Sequence, residues 1–259
     1  MIDGAYTLAG ALTGFVVGLT GVGGGALMTP ILLLVFGINP LTAVATDLWF
    51  AALTKLVAAR IHNNHGQVDW QVVKRLWRGS LPVAALVVGL LSLGARIQKI
   101  GWLTQAIGGV VVLTAIGLLV APALLRKGRA LRLGQPARFK AKQPALTSLA
   151  GAALGFCVAL TSVGAGALGS VMLLYLYPLR MTPHRIVATD IVHAIPLAMV
   201  AGLGYLFAGL VDGPMLISLL LGSVPAVALG SLLAGRFSGR WLQIALAVVL
   251  LIAGAKTLL

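Results

Sequence analysis

The sequence predicts an all-α integral membrane protein made of two four-segment repeats, and three observations carry that prediction. The first is composition. Of 259 residues, 59% are hydrophobic and 9% charged, with a mean hydropathy of +1.04, where a water-soluble domain of this length carries about a quarter charged residues. The second is the length of the uncharged runs, which cover 4–46, 79–95, 100–125, 144–179, 191–211 and 213–235. A helix needs roughly 20 apolar residues to cross the hydrocarbon. Lipid leaves only helices and closed barrels able to pair their backbone groups, and runs this unbroken do not alternate as barrel strands do. The third is internal repetition.

The repeat keeps its order along the whole chain. Gly14-Phe15 and Leu19-Thr20 return as Gly155-Phe156 and Leu160-Thr161, and Val44-Ala45-Thr46-Asp47 returns as Val187-Ala188-Thr189-Asp190. Gly66, Val68 and Asp69 match Gly209, Val211 and Asp212. Gly79-Ser80-Leu81-Pro82 matches Gly222-Ser223-Val224-Pro225, and Trp102-Leu103 matches Trp241-Leu242. All five acidic residues are Asp, and four of them fall into two symmetric pairs, Asp47 with Asp190 and Asp69 with Asp212.

The elements follow in order. The first half reads as segments at 5–36 (interrupted), 40–62, 71–94 and 101–125. The second reads as 146–177 (interrupted), 183–208, 213–235 and 239–258. Asn39-Pro40 and Thr182-Pro183 each set an N-capping residue before a first-turn proline, which marks the starts at 40 and 183. Between the halves, Arg126 to Lys142 holds seven basic residues and no acid, contains Pro136 and lacks apolar periodicity. The expected organisation is a membrane repeat at 1–125, a basic cytoplasmic linker at 126–145 and a second repeat at 146–259.

The net charge of +14 does not indicate nucleic-acid binding, because the Lys and Arg residues lie between the apolar runs, where membrane proteins keep cytoplasmic loops basic. The single Cys157 excludes an internal disulfide. The N-terminus lacks the basic region of a cleavable signal, so its first apolar stretch is expected to remain. Loop charge also bears on topology. If each interrupted segment is a re-entrant hairpin, each half crosses three times and the halves are inverted. With the linker inside, Arg60, Lys74, Arg75, Arg78, Arg180, Arg185, Arg236 and Arg240 then join it there, and Arg96, Lys99 and Lys256 lie outside. Four full crossings per half would make the halves parallel and leave six basic residues outside. The inverted arrangement fits the charge bias better.

Each interruption is a glycine break. Gly18-Leu19-Thr20-Gly21-Val22-Gly23-Gly24-Gly25 is echoed by Ala159-Leu160-Thr161-Ser162-Val163-Gly164-Ala165-Gly166. Non-helical backbone at membrane depth survives only where it is buried in protein or lines a wet cavity. A half-helix start offers free N–H groups and a dipole to an anion, so paired breaks point to a transporter's substrate site. The other reading is close packing through small residues. On the first reading, Thr20, Gly21, Gly23, Gly24 and Gly25, with Thr161, Ser162, Gly164 and Gly166, line the site.

Thr46-Asp47 and Thr189-Asp190 lie about two turns into their helices. Intramembrane carboxylates are costly and commonly functional. They either couple transport to protons or accept hydrogen bonds from a nearby glycine break and lock it. Lys55 and His193 are the other polar residues at depth. Lys55 either neutralises an anion or snorkels towards Arg60, and His193 either titrates or bonds to Asp190. His62 and His65 have a metal-like spacing with only Asp69 nearby, and read as a wet loop. Pro82 and Pro225 serve as hinges or as packing kinks. No Gly-Lys-Ser/Thr follows the glycines, which excludes an ATPase phosphate loop. No metal, cofactor or catalytic constellation is expected, so an enzyme is not.

The glycine-rich break, Thr29-Pro30-Ile31-Leu32, the Ala-Val-Ala-Thr-Asp run at 43–47 and Gly-Gln-Val-Asp at 66–69 together resemble the TauE/SafE sulfite-exporter family, also called the toluenesulfonate uptake permeases. The resemblance covers essentially the whole chain. It implies a multi-pass secondary carrier of the bacterial inner membrane for sulfite, organosulfonates or related oxyanions. The family usually carries Thr-Ser or a similar small polar pair where this chain has Thr46-Asp47 and Thr189-Asp190. The resulting expectation is alternating access to one small anion, with protons as a candidate coupling ion. An anion channel and a carrier of a non-sulfur organic anion are the alternatives.

Overall fold

The computed structural model describes residues 3–20, 25–62, 68–94, 101–134, 136–164, 166–233 and 239–258. All regular structure among them is helical. The helices are α1 (Gly4–Thr20), α2 (Gly25–Leu34), α3 (Pro40–His62), α4 (Trp70–Gly94), α5 (Gly101–Gly134), α6 (Pro136–Thr161), α7 (Ala167–Leu176), α8 (Pro183–Phe207), α9 (Gly213–Leu233) and α10 (Gly239–Leu258). The interrupted segments resolve into α1 with α2 and α6 with α7. The helices extend beyond the expected bounds of 125 and 146: α5 continues to Gly134 and α6 starts at Pro136. Arg and Lys are good helix formers, and Pro136 suits a first-turn position.

Among the described residues, five stretches are long and apolar enough to cross a membrane: Pro40–Arg60, Gln105–Ala130, Lys140–Thr161, Arg185–Phe207 and Gly213–Leu233. Those of α3 and α8 are 72% and 61% buried, against 39–44% for the other three, so α3 and α8 form the centre. The expected caps are present. Asn39 Oδ1 accepts from the Leu41 N–H at 3.0 Å, and the Thr182 hydroxyl accepts from Arg185 N–H ahead of Pro183.

The internal repetition reappears in the packing. Gly10, Gly14 and Gly18 of α1 meet Leu219, Ser223 and Val227 of α9 in ascending order, so these helices run in the same direction. Leu76 and Ser80 of α4 meet Gly151 and Gly155 of α6 in the same way. Any side chain at these glycines would collide with a facing backbone, which is how small residues let membrane helices approach. The two central helices run oppositely, since Trp49 of α3 reaches Gly202 of α8 and Lys55 reaches Asp190. Both interrupted segments fold back. The Tyr6 ring, near the start of α1, lies 4.5 Å from Phe36 beyond α2. Gln143 Nε2 in α6 donates to the Leu176 carbonyl at the end of α7.

Four threonine and aspartate side chains pin this frame symmetrically. Thr189 Oγ1 accepts from the Asp69 N–H, and Thr46 Oγ1 accepts from the Asp212 N–H, each at 3.1 Å. The two aspartates then cap the following helices, Asp69 on Val72 N–H and Asp212 on Met215 N–H. The symmetry ends there. Arg180 grips Asp69 with Nε at 2.8 Å and Nη2 at 3.0 Å, and Arg185 stands 3.8 Å away. Among the described residues, Asp212 has no ion pair.

Candidate functional site

The second break, between α6 and α7, shows what its small residues are for. Gly164 and Gly166 adopt φ of 122° and 132°, and Ser162 sits at 58°. Glycine takes such angles without steric cost. The Thr161 hydroxyl is committed to the turn, donating to the Cys157 carbonyl at 2.7 Å and accepting from Val163 N–H at 3.1 Å. Ser162 is different: it is 4% exposed, and its hydroxyl is turned away from its own helix to face Asp47. Of the first break, Gly21, Gly23 and Gly24 lie outside the described residues. Thr20 ends α1 and Gly25 begins α2. His65 also lies outside the described residues, and His62 closes α3.

Buried polar side chains gather where α3 crosses α8. Lys55 is 2% exposed and its Nζ stands 3.6 Å from Asp190 Oδ2. It therefore does not snorkel: the alternative reading for Lys55 fails, because the opposite charge lies across the helix crossing rather than at the membrane edge. Asp190 is also held against the start of α7. A Cβ on Gly169 would lie 2.1 Å from Asp190 Oδ1, so the carboxylate rests on bare backbone. The Gly166 N–H is aimed at the same carboxylate from just beyond hydrogen-bond geometry. Asp47, its counterpart in α3, accepts from the Thr29 hydroxyl of α2, and the Ser162 hydroxyl faces it. Each aspartate thus lies against the second half-helix of its own half, Asp47 through the Thr29 hydroxyl and Asp190 through the backbone of Gly169.

His193, one turn after Asp190, does not bond to it. Its Nε2 lies 3.0 Å from Ser80 Oγ of α4, and its carbonyl accepts from Trp77 Nε1. Among the described residues its Nδ1 has no partner. Thr46 and Thr189 are spent on the backbone of the opposite half, as described above. A cavity of about 10 Å³ lies at this crossing, with Lys55 and Ser162 as its polar wall and apolar side chains of α3, α6 and α8 around them. That is room for about one water. Two larger grooves, of about 370 and 400 Å³, are almost wholly apolar and offer an anion little. Among the described residues no cluster of His, Cys or Asp is placed to hold a metal.

The sequence left the Lys55–Asp190 pair, the Ser162 hydroxyl facing Asp47, and the Thr29 contact unassigned. Periodicity within a helix reports neither which helix faces it nor at what height. The Asp69 and Asp212 caps did have a signal, since each Asp directly precedes a helix start.

The model of the sulfite exporter TauE/SafE family matches residues 6–257. The chain belongs to that family. Among its relatives, a probable membrane transporter protein of Bacillus subtilis, YjnA, is 42% identical over 255 residues, covering 96% of this chain and 97% of the relative. A probable membrane transporter protein of Xylella fastidiosa is 29% identical over 241 residues, covering 89% and 84%. A second from B. subtilis, YdhB, is 25% identical over 223 residues, with 85% of each chain covered. No solved structure matches the chain. The family assignment and the apolar helices make this TauE/SafE member a multi-pass membrane transporter.

Proposed function

We propose that this chain is a secondary carrier of a small oxyanion, sulfite or an organosulfonate, that works by alternating access in the bacterial inner membrane. One observation carries the reading. Lys55, a buried cation on the wall of a small, largely apolar cavity where α3 crosses α8, meets through Asp190 the start of the half-helix α7. A cation together with free N–H groups is the chemistry that holds an oxyanion. The family's description supplies the substrate class.

The packing directions support an inverted pair of halves with re-entrant openings. α1 runs with α9, α4 runs with α6, α3 opposes α8, and both opening segments fold back. In such a pair one half rocks against the other around the site, and Pro82 and Pro225 lie within the paired helices α4 and α9. The basic residues of 126–142 belong on the cytoplasmic side by the positive-inside rule. Cysteines placed at exposed Trp70 and at Gly213, in a Cys157→Ser background, should then label from opposite sides of the membrane. Labelling from one side would refute inversion.

The functional test is sulfite counterflow into proteoliposomes of purified protein. A carrier gives saturable flux accelerated by sulfite on the far side. Flux that rises linearly with concentration would instead identify an anion channel. Folded protein that moves no sulfite would direct the search to organosulfonates and then to other organic anions.

A further inference from the structure

We infer that the Asp190 carboxylate is a built-in stand-in for the transported oxyanion, so that substrate enters only together with a proton that neutralises Asp190. The inference rests on the oxyanion-carrier reading and assigns its coupling ion and coupling residue. The geometry is the argument. Everything that suits the site to an oxyanion is already engaged by Asp190: Lys55 Nζ at 3.6 Å, the bare backbone of Gly169, and the Gly166 N–H aimed at it. The remaining donor, the Ser162 hydroxyl, is buried, faces Asp47 and forms part of the wall of the adjoining cavity. That cavity has room for about one water. An oxyanion must therefore displace the carboxylate to reach Lys55.

Charge balance says how. Lys55 and Asp190 together are neutral. An anion added alone leaves a net negative charge, and an uncompensated buried charge is strongly disfavoured. If one proton binds Asp190 as the anion arrives, Lys55 exchanges one oxyanion for another and the site stays neutral throughout. On the far side the anion leaves, the proton leaves, and the pair re-forms. Each turnover moves one proton in the same direction as one monovalent anion.

The other groups around Asp190 do not supply that proton relation. From α3 it is faced by Lys55, with Asp47 two turns away on the same helix bonded to Thr29. From α4 come the Ser80 hydroxyl and the Trp77 indole, both engaged with His193. On its own helix His193 faces Ser80, and Arg185 pairs with Asp69. From α6 the side chain packed beside the Asp190–Gly169 contact is Leu154, which carries no proton to exchange. α7 presents backbone.

The test uses methanesulfonate, which stays monovalent at every pH of the experiment, so that any pH response belongs to the protein. Its affinity for the purified full-length chain is read from thermal stabilisation at mildly acidic and mildly alkaline pH. One proton taken up per anion means that affinity rises about tenfold for each pH unit lowered while Asp190 is ionised. In proteoliposomes containing a trapped pH dye, inward methanesulfonate flux should acidify the lumen. In Asp190→Asn, methanesulfonate affinity should lose its pH slope, and Asp190→Glu should keep it. A flat wild-type pH profile, sulfonate flux without proton entry, or an Asp190→Asn variant with the wild-type slope would each overturn the inference. Should Asp190→Asn fail to fold, the two wild-type arms and Asp190→Glu decide it. Folded wild type that neither binds nor moves methanesulfonate or sulfite would overturn the oxyanion reading itself. Proton-independent transport would overturn only the coupling.

Discussion

Gly79 and Gly89 lie on the same helix, α4, and the structure assigns them opposite consequences for the same substitution. An added Cβ at Gly79 would sit 1.9 Å from the Ser148 carbonyl oxygen and 2.7 Å from the Ala152 nitrogen, whereas one at Gly89 meets nothing within 4 Å. Ordinary contact begins at 3.4 Å, so Gly79→Ala forces α4 and α6 apart by about 1.5 Å. A gap of even ~1 Å forfeits up to half of each dispersion contact along the seam, and overpacking typically costs about 1–3 kcal/mol. The upper end applies here, because both obstacles are backbone and neither can rotate away. Gly89→Ala removes a glycine from an open helix position and should stabilise by up to ~1 kcal/mol. The two variants should therefore differ by roughly 2–4 kcal/mol, about two orders of magnitude in the unfolding constant. The single Cys157, in α6 close to this seam, provides the assay. Its rate of thiol labelling through a denaturant series in lipid–detergent micelles reports opening of the α4–α6 pair. Equal labelling midpoints for Gly79→Ala and Gly89→Ala would refute the packing argument. Gly222→Ala, which meets the Thr7 carbonyl of α1 at 1.9 Å, should repeat the loss on the other side of the pseudo-symmetry.

Lys55→Met should destabilise by about 3–5 kcal/mol at alkaline pH by leaving Asp190 as a lone buried charge, and Lys55→Met/Asp190→Asn should recover most of that loss; a double-mutant cycle with no coupling energy would refute the pair. Thr46→Val and Thr189→Val should each cost about 1–3 kcal/mol by orphaning the N–H of Asp212 and Asp69, with Thr→Ser recovering most of it; unequal thermal losses would break the symmetry argument. Asp212→Asn should be nearly neutral, because Asn caps as well as Asp. Asp69→Asn should lose in addition a half-exposed ion pair worth ~1 kcal/mol or less, and raising the salt concentration should close the gap between the two variants.

Much of the fold was legible in the chain because membrane solvation constrains it so tightly. Every backbone group must be paired within its own segment, so uncharged runs report helices directly, and α3, α4 and α10 begin and end within a residue of where the run lengths and caps put them. α5 runs past the end of its apolar run at 125 because Lys and Arg are as content in a helix as in a loop, so charge there marks no helix end. The repeat was legible because the same contacts recur: Gly79-Ser80 and Gly222-Ser223 look alike since each lets a neighbouring helix approach its backbone.

The candidate site was only half legible. The glycine break, Thr46-Asp47, Thr189-Asp190, Lys55 and His193 stood out as polar or flexible residues in an apolar medium, where each must have a reason. Their partners did not stand out. Lys55 meets Asp190 across 135 positions of sequence, and His193 meets Ser80 across 113. Thr161, which looked equivalent to Ser162, turns its hydroxyl back onto its own helix. The sequence by itself determined that this chain is an all-helical, multi-pass membrane protein and that charge at depth is scarce. Only the tertiary structure decided which charges meet, because partner choice is set by the height and rotation of helices packed against one another, and a one-dimensional pattern carries neither.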